Sequence, residues 1–361
     1  MSIPVSGLNI SQGRCHVYFA FDLGLSIDLE RCDRMLKESA ERASFHRKRR
    51  SPVYFDYDPA PLRLSQQGRV LRHDLFTAES AIEVTLFEFG AISVHYAFPL
   101  SGPFESLVAL SDALYDNKTL LADARERAMQ LLDEISGAVK RPNPAELMED
   151  YTVFHIEKLQ TELPLVELIQ SARLTTAQIL RSDGSSLSEE EIREAISHHT
   201  SYTEDDLVII DWSAALVIGD KVEDVIEALE FANVDLLEMR YLDEQLDDAL
   251  KEAYAALSAG TRVRASLRKV AQLQADSAML FEAVNNALKL TGDQYLARVY
   301  SLVTQRLHLL EWDSSIIRKL NTLDSIYHKI SDQAGQRRSE FLEWVIILLI
   351  AFEILYTLLQ H

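Results

Sequence analysis

Cysteine is nearly absent: Cys15 and Cys32 are the two in 361 residues. Their spacing suits no metal motif, and two thiols in a chain this long exclude a disulfide framework and point to a reducing compartment. Proline is missing from residue 165 onward, all nine lying at or before Pro164. Glycine is sparse too. From Lys221 onward there are Gly260, Gly292 and Gly335, and no two glycines of the chain lie closer than six residues. That spacing excludes P-loop and dinucleotide-type phosphate cradles, which need glycines two to five apart. No G-x-S-x-G or H-E-x-x-H occurs, so neither a nucleophile elbow nor a zincin helix is present. Basic charge is short as well, 36 Lys and Arg against 56 Asp and Glu, a formal charge of −20. Such a surface repels phosphate backbones, and no nucleic acid is expected as a partner. The first residues show no basic segment leading into an apolar one, so no signal or transit peptide is expected.

The proline and glycine distribution divides the chain. An α/β part is expected up to about Gly219, followed by long helices broken near Gly260, Gly292 and Gly335. In the α/β part, residues 16–21 and 53–57 read as strands, rich in aromatic and β-branched side chains. Asp28 can cap a helix carrying Leu29, Cys32, Met35 and Leu36 on one face. That helix ends in the basic run 47–50. A lipid-headgroup or RNA contact is one reading of this run, and a solvated helix end, where cations suit the dipole, is the favoured one. Residues 82–89 alternate at period two, Gly90 interrupts, and 91–96 resume, which predicts a hairpin or a kinked strand pair. Ser101, Gly102 and Pro103 are expected to open a helix, and another is expected over 118–135.

The order then repeats. Residues 151–156 form a strand, helices follow to about Leu180, Ser188 and Glu191 make a capping box, and 207–218 echo the earlier hairpin. The expected fold class is α+β. An N-terminal α/β sandwich of two duplicated, ferredoxin-like halves (1–140 and 141–219) precedes a long antiparallel helical hairpin or coiled-coil stalk (220–335). A C-terminal transmembrane helix (336–361) closes the chain. Layers of this kind bind partners or effectors more often than they catalyse.

Candidate chemistry is thin. Asp243, Glu244, Asp247 and Asp248 are four carboxylates at helical spacing that can hold a divalent cation, but a wet face balanced by Arg240 and Lys251 is the better reading. Arg262, Arg264, Arg268 and Lys269 open the next helix and suggest charge matching between helices as readily as a ligand. His198 and His199 are adjacent and diverge on a helix, while His95 and His155 read as ordinary strand positions. Asp211 and Trp212 form the most site-like pair, although a core Trp beside a turn Asp is commoner. After Gly292, Leu296, Val299, Val303, Arg306 and Leu310 step by three and four. After a phase break Ile316, Leu320, Leu323, Tyr327, Ile330 and Ala334 do so again, a coiled-coil-like seam with a stutter.

The one long apolar run is 341–359, in which thirteen of nineteen residues are Leu, Ile, Val or Phe. As a helix it covers about 28 Å, close to the hydrocarbon thickness of a bilayer. Its aliphatic and Phe residues favour insertion by roughly 6 kcal/mol, against about 3 kcal/mol for Glu353, while Glu343 lies near the end and reaches the headgroups. Trp344 and Tyr356 sit where interfacial aromatics belong, and Arg337 and Arg338 precede the run, which keeps the N-terminal bulk in the cytoplasm. The alternative is a buried helix at an oligomer interface. Both hold if the Glu353 side faces a second copy.

The junction 338–350, with Glu343-Trp344, an Ile/Leu run and a later Glu353, resembles the ending of the "required for meiotic nuclear division" family. Residues 85–94 resemble that family's aromatic-acidic-aromatic-Gly strand turn. The resemblance covers roughly the last hundred residues well and the first part loosely. It implies a membrane-tethered, non-enzymatic protein. Members in mitochondria are associated with the inner membrane and organelle translation, and the family supplies no catalytic residues to carry over. The missing transit peptide and the long segment 142–219 depart from those members, which puts a ribosome-related role in doubt and suggests a bacterial-type member. The expected function is thus a scaffold or adaptor on the inner (cytoplasmic) membrane. It is single-pass and homo-oligomeric through its helices, with the lipid bilayer as partner, no cofactor and no metal. A membrane-tethered small-molecule sensor is the alternative, and a channel or transporter component ranks last.

Overall fold

The computed structural model describes residues 8–40, 45–47, 55–57, 59–67, 77–160, 164–259 and 294–359, with short pieces between 271 and 290. Side chains are described over a narrower set that ends at Ile350. The order is β1 (Asn9–Asp22), β2 (Gly24–Ile27), α1 (Leu29–Ala40), β3 (Phe45–Arg47), β4 (Phe55–Tyr57), β5 (Leu62–Gln67), β6 (Ala81–Leu86) and β7 (Ala91–Pro103). Then come α2 (Ser106–Leu114), α3 (Lys118–Ile135), β8 (Val139–Pro142), β9 (Met148–Gln160), α4 (Leu165–Ser171), α5 (Arg173–Arg181) and α6 (Glu189–Ala195). The remainder is β10 (His199–Thr200), β11 (Leu207–Ile210), β12 (Ala214–Ile218), α7 (Glu223–Ala259), β13 (Leu288–Leu290), α8 (Gln294–Arg306) and α9 (Leu309–Leu359). The chain is therefore α+β, with sheet first and helices last. It falls into two units. The first takes Met1–Tyr241 and Leu280–Trp312, the second Leu242–Met279 and Asp313–His361.

The first unit is built on one sheet of nine strands in the order β10-β11-β12-β9-β1-β7-β6-β5-β3. The two runs expected as halves share this sheet and differ in pairing. Strand β7 runs antiparallel to β1, whereas β12 runs parallel to β9. A parallel neighbour needs a crossover, here supplied by α4, α5 and α6, while β6 and β7 need no more than a tight turn. That turn is the one expected at Gly90, whose φ is +107°, a region open to glycine. A Cβ there would fall 1.8 Å from the carbonyl oxygen of Gly24, so the residue is required twice over.

Capping follows the residues. Asp28 Oδ1 accepts from the Arg31 N–H at 2.9 Å, Asn117 Oδ1 from Leu120 at 3.0 Å and Ser188 Oγ from Glu191 at 3.2 Å. The helix expected to open at Ser101 instead begins at Ser106. Gly102 and Pro103 still pair with Ile10 and Asn9 of β1, and the strand outlasts the turn signal.

Because side chains alternate along a strand, β1 divides the unit into two layers. Cys15, Val17, Phe19 and Phe21 enter the main core, with Leu107 and Leu110 of α2, Leu120, Ala124 and Leu131 of α3, and Ile179 of α5. Both cysteines are buried and free. The opposite face carries His16, Tyr18 and Asp22, and α7 lies over it up to Tyr241.

In the second unit the carboxylates of α7 meet α9. Lys319 Nζ bridges Asp243 at 2.7 Å and Asp247 at 2.6 Å, and Ser315 Oγ donates to Asp243 at 3.2 Å. Lys251 pairs with Asp248 as expected, but Arg240 turns instead to Glu149. The phase break expected between Leu310 and Ile316 falls inside the unbroken start of α9; the chain breaks earlier, where α8 stops at Arg306 and His308 takes φ +53° before α9 starts. Leu296, Val299, Val303, Ile316 and Leu323 are buried, while Leu310 is exposed. The basic group 262–269 lies outside the described residues, as do the side chains of Ile330 and Ala334.

The expected transmembrane helix gains no support. Among the described residues no helix is long and apolar enough to cross a membrane. The run forms the end of α9, and its described side chains stop at Ile350, about halfway along.

Candidate functional site

Three places gather functional chemistry. The first is the end of α9. Leu342, Trp344 and Ile346 to Ile350 are exposed, each by 52% or more of its surface. Glu343 and Trp344 of the expected anchor thus point to solvent. Arg337, Arg338, Glu353 and Tyr356 lie on the same helix, their side chains outside the described residues.

The second is the polar layer between the sheet and α7. His95 stands opposite Tyr18 across the β1–β7 ladder, and Glu83 opposite His95 across β6–β7. The Tyr18 and His95 rings stack with centroids 4.6 Å apart, and His95 Nε2 lies 3.0 Å from His16 Nδ1. Glu83 is 3.9 Å from the other ring nitrogen of His95. His155, read from sequence as an ordinary strand position, donates from Nε2 to the Gly219 carbonyl at 2.9 Å, since a carbonyl only accepts. From α7 come Glu227 and Glu230. Arg63 of β5 reaches Glu227 at 2.5 Å. Burial pushes the Tyr18 hydroxyl well above its ordinary range, and Glu230 pushes it further. Burial likewise raises Glu227 to about 7 against the pull of Arg63.

Toward the end of β1 the layer continues with Asp22, facing Glu238 of α7. Beside them Glu149 of β9 is held by Arg240, and its main-chain carbonyl accepts from Asn233 at 3.4 Å. Glu149 is raised to about 7 by burial, with Arg240 opposing. The layer is lined by its own buried acids, histidines and Tyr18. Among the described residues no group of three or more His, Cys, Asp or Glu is placed to hold a metal.

The third place is the Asp211 turn, singled out in the sequence. Asp211 is fully buried, and Arg306 binds it through both Nε, at 2.8 Å, and Nη2. Arg306 also reaches Glu194 at 2.7 Å and lies over the Trp212 ring at 5.5 Å. Arg181 stands 3.0 Å from the second Asp211 oxygen and 3.0 Å from Glu191. Tyr151 donates to the Asp211 carbonyl at 2.9 Å. Burial raises the Asp211 pKa, and the hydrogen bonds and charge of Arg306, with Arg181, pull the other way. His198 lies near this network, its pKa lowered by burial and by Arg306, while His199 donates to its own turn at Ile196. The pair is thus the centre of an ion network that locks the β11–β12 turn to α6 and α8.

Sequence reading missed Asp22, Glu227, Glu230 and Glu238 and treated Arg306 as a seam position. A signal existed for the acids of α7. Glu227, Phe231, Val234 and Glu238 recur at four, three and four, which puts two carboxylates on the helix stripe that must face the sheet.

The family model described as "Uncharacterized protein MJ0711, N-terminal domain" matches residues 12–224, from inside β1 to the first residues of α7. A protein of Methanocaldococcus jannaschii, described as "Uncharacterized protein MJ0711", is 26% identical over 251 residues, which is 68% of this chain and 76% of the relative. No solved structure matches. Neither match bears the name of the "required for meiotic nuclear division" family, so that likeness stays a resemblance. With more than half of its 361 residues matched by the model, the chain belongs to the family defined by the N-terminal domain of MJ0711.

Proposed function

We propose that the protein is a membrane-tethered, non-enzymatic scaffold whose α/β unit is the working body and whose apolar helix end enters a bilayer. One observation carries the reading. Ile346, Ile347, Leu348, Leu349 and Ile350 are consecutive and exposed by 52–65%. At about 100° per residue, five consecutive positions encircle a helix completely. A single partner helix would cover a stripe, whereas lipid covers every side. Trp344 suits the interface, and Arg337 and Arg338 ahead of the run support an orientation with the bulk on the cytoplasmic side of the inner membrane. The resemblance to the "required for meiotic nuclear division" ending points the same way, and pairing between copies through α9 would shelter Glu353. The effector-sensor alternative has less behind it, since the polar layer under α7 is occupied by the protein's own side chains.

Flotation with phospholipid vesicles, without detergent, tests the proposal. The full chain should float and resist carbonate extraction, and a chain ending at residue 336 should stay in the dense fraction. A full-length protein that remains a dissolved monomer beside vesicles overturns it.

A further inference from the structure

Asp22 ends β1 on the polar face of the sheet, and Glu238 of α7 lies against that end. They are 1% and 0% exposed, and among the described residues no side-chain oxygen of either meets a donor in good hydrogen-bond geometry. The Gly24 amide lies close enough to ease the charge on Asp22 without closing such a bond. Among the described residues, the neighbouring groups offer no counter-charge. Asp235, a turn earlier on α7, accepts from Tyr300 of α8 at 3.2 Å, and adds negative potential. Arg240 is committed to Glu149 of β9. Farther along the same face stand Tyr18 and His16 of β1, His95 of β7 and Glu230 of α7.

Two carboxylates enclosed together at low dielectric cannot both stay ionised unless something positive joins them. A hard cation asks for six or more oxygens. Among the described residues, no cluster of three or more His, Cys, Asp or Glu is placed to hold a metal. A proton needs no more than the pair.

We propose that Asp22 and Glu238 form a proton-binding site that latches α7 to the sheet, a bound proton holding the helix seated and its loss loosening residues 223–241. Burial raises both carboxyls, and for Glu238 the charges of Asp22 and Asp235 add to the rise. In the unfolded chain both lose protons at about pH 4. The folded state therefore holds protons that the unfolded state has released. Stability is complete below that range and is lost as pH rises through the raised folded values. Glu149 and Glu227, each raised to about 7, act with the same sign and leave a residual slope when the latch is removed.

Infrared spectroscopy of the full chain near pH 7 should show the carbonyl band of a protonated carboxyl group, and the band should weaken in Glu238→Gln and in Asp22→Asn. The thermal midpoint of the native sequence should fall between about pH 5.5 and about pH 8.5, and either substitution should reduce that fall by about half. Amide protection over 223–241, measured relative to the intrinsic exchange rate at each pH, should fall over the same pH range in the native sequence and not in the variants. Three results overturn the proposal: no protonated-carboxyl band in the native protein, an unchanged pH slope in both variants, or a stoichiometric metal whose removal lowers the midpoint. The first and third need no variant to fold.

Discussion

Arg306 shows how much one side chain can hold in place. It sits at a seam position of α8, 5% exposed, and joins Asp211, Glu194 and the Trp212 ring. Its partner Asp211 is wholly buried, so removing the guanidinium strands a carboxylate with Arg181 alone beside it. Breaking one side of such a pair costs about 3–5 kcal/mol, far more than an exposed ion pair is worth. Arg306→Leu should therefore lose about that much in urea unfolding, and Arg306→Lys should recover a part of it, because an ammonium cannot fork onto a carboxylate and lie flat on an indole. Replacing Arg173, whose pair with Glu189 is exposed, should change stability by less than about 1 kcal/mol and serves as the control. Sequence spacing placed Arg306 correctly on the inward face of its helix. It could not show that the inward face meets Asp211, ninety-five residues earlier in the chain.

Among the elements, the β6–β7 hairpin and α6 give a contrast in what a turn residue contributes. Gly90 is needed for its positive φ and for the 1.8 Å at which a Cβ would strike Gly24, which carries backbone and cannot step aside. Gly90→Ala should therefore cost more than the roughly 1–3 kcal/mol of backbone strain alone, and should shift the two central strands β1 and β7. Ser188→Ala removes a single cap bond on an exposed helix and should cost about 1 kcal/mol. Chemical denaturation of both variants checks the order, and a Gly90→Ala protein as stable as Ser188→Ala would contradict it. Both residues were legible. Glycine between two alternating runs and Ser three before Glu are local signals, read within a few positions. The start of α2 was not legible, because Pro103 suits the first turn of a helix as well as the end of a strand, and the pairing partner on β1 decided for the strand.

At the scale of the molecule the first unit is discontinuous. It draws Leu280–Trp312 back to a body made from Met1–Tyr241. Arg306 lies in that returning piece, and so does Tyr300, which bonds Asp235. A chain ending at Trp312 should keep a cooperative thermal transition, while one ending at Tyr241 should lose it or melt well below, since Asp211 and Glu194 then lose Arg306. Circular dichroism on both truncations tests this, and equal melting would mean that α8 adds nothing to the first unit.

Composition and periodicity were enough to establish the division into sheet and helix, the capping residues, the hairpins and the apolar character of 341–359, because each is set by neighbours within about a dozen residues. They also excluded phosphate cradles and the common hydrolase motifs. What they could not reach was decided by packing. Parallel pairing of β12 with β9, carboxylates of α7 turned onto Tyr18 and Asp22, and Arg306 turned onto Asp211 all join residues more than sixty positions apart. A buried acid looks in sequence like an exposed one at the same helical phase. Whether it faces water, a cation or another acid depends on which surface the chain folds against it.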